Sequence, residues 1–437
     1  MRLDYHYCNN YSEAGVLVGI MAQNEQKLMI KDGEIISYGG KGENGRNCFL
    51  LKTSRGAVLL DCGVKRDVTT SLLDAYPALN KQIVQQLDAV FLSHSHEDHC
   101  AALPMLSAMG YKGIIYASKE TISSTRSMIR KWMSFVKNNG GELPYSEEDV
   151  EGLRFAEISL GLSKINHFIV LTGRSGHTIG SYWFVFQWGE LHEWQVFYSG
   201  DMCFSSNILD FDSPPPCKAA IIDSAYADQV LIQETQYEQF RDVVFKTIKN
   251  QGRLLLPVPA KGRGSDLLLY CAQIQIGVPI WTEAAIYNQC IDLLKQQLWL
   301  RKYIPSKEIL NSVHVINSPI EREHAIEQNT GLYFTTDGML TTEEGLHYFH
   351  HFRQNYRDGV LITGHVAQGT LASNLLSREY RVTNKIHLQV NHVTIKVHLD
   401  QREVQQLCRE LETNQVMLFH AEKEKCSQLE SLLEIGV

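Results

Sequence analysis

The residues best suited to do chemistry lie together in one segment, His94-Ser95-His96-Glu97-Asp98-His99. It directly follows an apolar run, Ala89–Leu92, that reads as a buried strand. In an extended chain, side chains two residues apart project to the same side, so His94 and His96 can share one cation. If the chain then turns into a helix, Asp98 and His99 swing toward a second cation. Neutral imidazoles and carboxylates are ligands expected of zinc, with manganese or iron as weaker alternatives. Such a pair of cations activates water, so the segment predicts a metal-dependent hydrolase.

Elements able to position this segment are legible on both sides of it. Ala57–Gly63, Ala89–Ser95, Gly113–Ser118, Trp194–Asp201 and Ala219–Ser224 read as buried strands, and Phe168–Thr172 with Tyr182–Trp188 as an antiparallel pair. Helical patterns cover Ser123–Lys137, Glu238–Lys249 and Gly264–Gln275. From about Tyr226 to Asp358 the pattern becomes regular strand and helix alternation, which predicts a small parallel α/β unit. Its strands are Arg253–Pro259, Val278–Glu283, Val313–Ser318 and Gly331–Thr336. Strands Gly359–Gly364, Val393–Asp400 and Gln415–Glu422 follow, and a last helix covers Glu422–Ile435. The expectation is one α/β domain, 1–225 with 359–437, interrupted by a second at 226–358.

Bulk properties narrow the function. With Lys+Arg 41 against Asp+Glu 49, the net charge of −8 argues against coating nucleic acid by charge alone. A nuclease would need a local basic groove or the metals themselves. No stretch reaches the ~20 apolar residues of a membrane span, and the patch Val16–Ala22 lacks the features of a signal peptide. Ten scattered cysteines without a paired spacing read as reduced thiols, which places the chain in the cytoplasm.

His94-x-His96-x-Asp98-His99 resembles the signature of the metallo-β-lactamase superfamily, and the other recurrent pieces follow in order. Asp61, in Leu60-Asp61-Cys62-Gly63, resembles the early aspartate that braces the metal loop from behind. His177, in Gly176-His177-Thr178-Ile179-Gly180, resembles the next metal histidine, and Asp201, in Ser199-Gly200-Asp201, the aspartate that bridges both cations. The residues inserted after Tyr226 resemble the β-CASP domain of a nuclease branch that includes RNA-processing endonucleases and RNase J. Asp223 matches that branch's first acidic motif. Val397-His398-Leu399-Asp400 matches the second, and Leu418-Phe419-His420-Ala421-Glu422 the third, with Ala421 in place of the usual glycine. Gly338-Met339-Leu340 and Thr363-Gly364 with Gly369-Thr370 also look like recurrent segments, and Gly40, Glu43, Gly45 and Asn47 in GGKGENGRN resemble the opening loop of RNase J.

The resemblance implies an αββα sandwich with an inserted β-CASP domain capping an active-site cleft. It implies one cation on His94, His96 and His177, the other on Asp98, His99 and His420, and Asp201 between them. RNA would then be hydrolysed by a hydroxide held between two zinc ions, with His420 favouring RNA over DNA. A proton for the leaving oxygen would come from His398, oriented by Asp223. Lys261 and Arg263, on a strand-to-helix turn, and Gly369 and Thr370 are candidates for substrate phosphate. No KH-like or RNase J-type extension is recognisable, so a homodimer or an accessory RNA-binding partner is expected. The competing classes are a small-molecule hydrolase of the same fold, which would not need the inserted domain, and a non-catalytic scaffold, which would show degraded metal positions. His347, His350 and His351 read as part of an aromatic-rich amphipathic helix facing a core or groove.

Overall fold

The computed structural model describes residues 26–68, 71–189, 193–274, 276–302 and 307–435, so the patch Val16–Ala22 lies outside the described residues. Two sheets pack face to face. The first has seven strands in chain order, from Lys27–Ile30 to Phe155–Glu157, antiparallel over its first four and parallel thereafter. The second runs in the order Val416–Phe419, Ala219–Asp223, Val196–Tyr198, Tyr182–Trp188, Phe168–Arg174, Gly161–Ile165. Tyr182–Trp188 and Phe168–Arg174 pair antiparallel, as their alternation predicts.

Strand alternation explains the layers, because successive side chains enter opposite faces. Phe49, Leu51, Val58 and Phe91 of the first sheet meet Phe184, Phe186 and Tyr198 of the second, and Phe91 packs edge-on against Phe186 at 5.1 Å. On the opposite face of the first sheet, Leu50, Leu59 and Val90 pack on Ile129, Trp132 and Val136 of helix Lys119–Asn138. On that of the second, Val185, Phe197 and Ile222 pack on Val404, Leu407 and Leu429 of helices Gln401–Glu410 and Lys423–Ile435. The result is a metallo-β-lactamase αββα sandwich.

The third sheet is wholly parallel, in the order Val313–Ile316, Ile280–Glu283, Gly331–Thr335, Arg253–Pro257, Gly359–Ile362, Gln389–His392. Helices cover both faces: Leu255 and Val360 meet Tyr348, Phe349 and Phe352, whereas Leu254 and Leu256 share a core with Phe240, Val244 and Leu268. Both faces buried is why these strands read as continuous apolar runs.

Two expectations fail here. Gly359–Ile362 pairs with Arg253–Pro257, and Gln389–His392 pairs with Gly359–Ile362, so residues expected to return the chain to the first domain extend the sheet of the second. We place the return near Val393. Val393–Asp400 is not a strand. Mixed partners satisfy its backbone: the Val393 and Ile395 N–H groups donate to the Ile362 and Thr363 carbonyls, Gln236 accepts from the Thr394 N–H, Gln233 accepts from and donates to the Lys396 backbone, and His177 Nδ1 donates to the Val397 carbonyl. Buried Lys396 ties the segment down at 2.8 Å from Glu403 and 3.1 Å from Asp400, and Asp400 caps helix Gln401–Glu410. The helix Glu343–Phe352 buries Tyr348, Phe349 and Phe352 as expected but leaves His350 and His351 exposed.

Candidate metal centre and cleft

Strand Ala89–Phe91 ends just before His94, and the chain turns at His96 into the short helix Glu97–Cys100. That turn carries Asp98 and His99 away from the side that His94 and His96 share. Gly63 makes the turn possible: a Cβ there would fall 1.7 Å from the Asp98 carbonyl oxygen. No side chain fits where two backbones approach so closely.

Three imidazole nitrogens converge on one point. His94 Nε2 and His177 Nε2 lie 3.0 and 3.2 Å from His96 Nδ1. The far nitrogens fix which edge faces inward: His177 Nδ1 donates to the Val397 carbonyl at 2.8 Å, and His94 Nδ1 lies 3.0 Å from the Ser93 hydroxyl. Asp201 Oδ2 faces this group, 3.5 Å from both His94 Nε2 and His177 Nε2. Its Oδ1 faces the other way, 3.0 Å from His99 Nε2. There Asp98 Oδ2 lies 3.2 Å from His420 Nε2 and 3.5 Å from His99 Nε2. Each oxygen of Asp201 thus looks at a different donor set: the donor atoms of His94, His96, His177 and Asp201 lie within 4.8 Å of one another, as do those of Asp98, His99 and Asp201, while His420 falls in a further such group with Asp201, Asp223 and His398.

The electrostatics of this cluster fit divalent cations. Burial, helped by the neighbouring imidazoles of His99 and His96, pushes His94 well below the usual histidine range, and burial takes His177 down to about 3. Both are neutral, as ligands must be. Burial also opposes charge on His99 and His420, but Asp201 and Asp98 outweigh it and hold both well above that range. The carboxylates demand positive charge at this spot, from protons or from a metal. Asp201 Oδ1 and His420 Nδ1 are buried without an aligned hydrogen-bond partner, lone pairs that a cation would use.

Asp61 sits behind the centre. Its Oδ2 accepts from His99 Nδ1 at 2.6 Å, from the Ser93 hydroxyl at 2.6 Å and from the Tyr198 hydroxyl at 2.5 Å, and its Oδ1 accepts from the Ser93 N–H at 2.7 Å. The bond to His99 leaves Nε2 turned toward Asp201. Removing such a supporting carboxylate weakens metal binding by ~10–100-fold. Asp61→Ala should therefore lose metal to a competing chelator about that much sooner than the parent. Equal retention would reduce Asp61 to a structural residue.

His398 stands beside the cluster, its Nδ1 donating to Asp223 Oδ2 at 2.8 Å and lying 3.8 Å from Asp201 Oδ2. Burial resists ionisation of Asp223, but the His398 charge and hydrogen bond bring it down to about 2. A cleft of about 450 Å³ opens next to His96, walled by Ser95 and Ser124 on one side and Lys261, Gly262 and Asp266 on the other. Lys261 lies in the turn between strand Arg253–Pro257 and helix Arg263–Gln273, and Arg263 opens that helix, as the sequence led us to expect. Arg263 Nε is buried without a partner, and burial raises the Asp266 carboxyl to about 7, so Asp266 is only partly ionised near neutral pH. Thr370 is accounted for locally: its hydroxyl donates to the Ala367 carbonyl and accepts from the Ser373 N–H, capping helix Leu371–Leu376 after the turn at Gly369. Sequence reasoning gave Asn47 no role at the metal centre, yet its Nδ2 lies 2.8 Å from His99 Nε2 and 3.2 Å from Asp98 Oδ2. Its only signal was a place in the glycine-rich loop.

Comparison with known proteins agrees with this geometry. The model of the metallo-beta-lactamase superfamily matches residues 42–186, and that of the Beta-Casp domain matches residues 271–375. The chain is 26% identical to the transcription termination factor FttA of Lokiarchaeum, over 91% of this chain and 68% of the relative. It is 23% identical to the cleavage and polyadenylation specificity factor 73 of Drosophila melanogaster, over 92% and 61%. It is 24% identical to the Integrator complex subunit 11 of Danio rerio, over 92% and 71%. A crystal structure of a protein of unknown function from Enterococcus faecalis has the same fold, with a TM-score of 0.56 and 12% identity over 90% of this chain and 96% of that one. With both of its modules matched and the inserted arrangement present, the chain belongs to the β-CASP branch of the metallo-β-lactamase-fold nucleases.

Proposed function

We propose that this protein is a ribonuclease that hydrolyses RNA phosphodiester bonds using two divalent cations. His94, His96 and His177 would hold one, Asp98, His99 and His420 the other, with Asp201 shared. Five imidazoles in the set favour zinc over manganese. When bound, the cations supply a water of lowered pKa as nucleophile and neutralise charge developing on the phosphoryl oxygens. The observation that carries the RNA reading is the His398–Asp223 pair beside Asp201, at a metal cluster next to which a cleft lined by His96, Lys261 and Asp266 opens. Asp223 occupies Nδ1, so Nε2 is the atom free to protonate a leaving ribose oxygen. Two of the named relatives support the substrate class, since their names speak of transcription termination and of cleavage and polyadenylation. A second copy of the chain or an accessory RNA-binding protein would complete substrate capture.

Among the described residues no helix is long and apolar enough to cross a membrane. Nine described cysteines are free and buried, which fits a reducing compartment, the cytoplasm in our reading.

The test is cleavage of a 5′-labelled RNA by purified protein, with and without chelator. Metal-dependent shortening is expected, and the product ladder separates exonucleolytic from endonucleolytic attack. Intact RNA alongside hydrolysis of a thioester or lactone would overturn the reading in favour of a small-molecule hydrolase.

Arg263 offers a separate check on the cleft. A Cβ on Gly364 would fall 2.1 Å from Arg263 Nη1, so Gly364→Ala must displace the guanidinium. If Arg263 binds substrate phosphate, losing that charged hydrogen bond should raise KM about tenfold with kcat little changed. An unchanged KM would remove Arg263 from substrate binding.

A further inference from the structure

Far along the chain from the centre, the outer side of the inserted domain carries a second convergence of metal-ligating side chains. Helix Glu343–Phe352 presents His347 and His351, four residues apart and therefore one above the other on one face. Their rings lie 4.7 Å apart. The neighbouring helix Pro319–Ile326 brings Glu323, whose Oε1 is 2.8 Å from His347 Nε2. The donor atoms of all three lie within 4.8 Å of one another.

We propose that Glu323, His347 and His351 form an open binding site for a divalent transition metal, distinct from the catalytic centre. The ligand chemistry selects the class: two imidazoles and one carboxylate suit zinc, nickel or copper and not magnesium or calcium, which take oxygen ligands. Geometry permits it. Bonds of 2.0–2.1 Å in a tetrahedral site set ligand atoms about 3.3 Å apart. From separations of up to 4.8 Å the donors must close by at most about 1.5 Å, which side chains at the surface achieve by small rotations; Glu323 is 55% exposed and His347 36%.

The surroundings leave the carboxylate available. Arg322, next in sequence, is committed to Glu283 through two bonds of 2.9 Å and does not neutralise Glu323. Tyr348, Phe349 and Phe352 anchor the helix in the core beneath, so the histidine pair is held on a rigid support. Three protein ligands leave a fourth position open to water or to a donor from another molecule, the arrangement of a zinc site that exchanges ligands. A metal there would tie helix Pro319–Ile326 to helix Glu343–Phe352.

The test counts zinc on the full chain by equilibrium dialysis, comparing the parent with His347→Ala/His351→Ala. The parent should bind one zinc more per chain than the double variant, with RNA cleavage equal in the two. Glu323→Ala should keep the extra site but weaken it at least ~10-fold, since even indirect supporting groups contribute that much to metal affinity. A zinc-soaked crystal should show anomalous density between the two helices. Equal zinc counts in parent and double variant, or density confined to the catalytic centre, would overturn the proposal.

Discussion

Asp201→Asn should leave purification with far less metal than the parent protein and without measurable RNA cleavage. The reason lies in the two faces of one carboxylate. Oδ2 looks at His94 and His177 at 3.5 Å, and Oδ1 looks at His99 at 3.0 Å. An amide keeps the shape but turns one of the two faces into a donor, which repels a cation. The side chain is buried, so no water can take over the lost ligand without rearrangement. Loss of a merely supporting residue costs ~10–100-fold in metal affinity, so loss of a shared ligand should exceed the upper end of that range. The measurement is metal content after dialysis against a weak chelator, with the fold checked by circular dichroism. Two ions retained per chain would show that Asp201 does not bridge.

The second large effect is expected at His398, and it should leave the metals in place. Phosphodiester hydrolysis requires a proton for the departing oxygen. Imidazoles that hold cations cannot give one, and Asp201 is occupied between the donor sets. His398 has Nδ1 bound to Asp223 at 2.8 Å and Nε2 uncommitted, the arrangement of an oriented general acid. General acid catalysis is worth ~10²–10⁴-fold, so His398→Ala should cut RNA cleavage by about that factor at unchanged metal content. With a nitrophenyl phosphodiester the leaving group needs little protonation, and the deficit should shrink. Equal losses on both substrates would mean that His398 positions the phosphate. Asp223→Asn should reproduce the pattern more weakly, because it disturbs the orientation of the acid and leaves the acid itself present.

Local pattern was enough for several features of this protein. His94, His96, Asp98 and His99 lie within six consecutive positions just after a strand, so their clustering depends on short-range geometry that spacing reveals. Buried strands such as Tyr182–Trp188 and Ala219–Asp223 announce themselves by apolar runs and alternation. The parts that spacing could not decide are those settled by distant partners. Whether Gly359–Ile362 belongs to the first or the second domain depends on its hydrogen bonding with Arg253–Pro257, and an apolar strand of four residues carries no mark of which sheet it will join. Val393–Asp400 has the composition of a strand, yet Gln233, Gln236 and His177 take several of its backbone groups, so no continuous ladder forms along it. Asn47 reaches His99 and Asp98 only because the sheet folds its loop over the turn at His96. The joining of His398 to Asp223, 175 residues apart, likewise exists only once the chain that follows the third sheet folds back against strand Ala219–Asp223. Ligand identity is a property of short segments, whereas partnership between buried polar groups is decided by which surfaces the hydrophobic cores bring together.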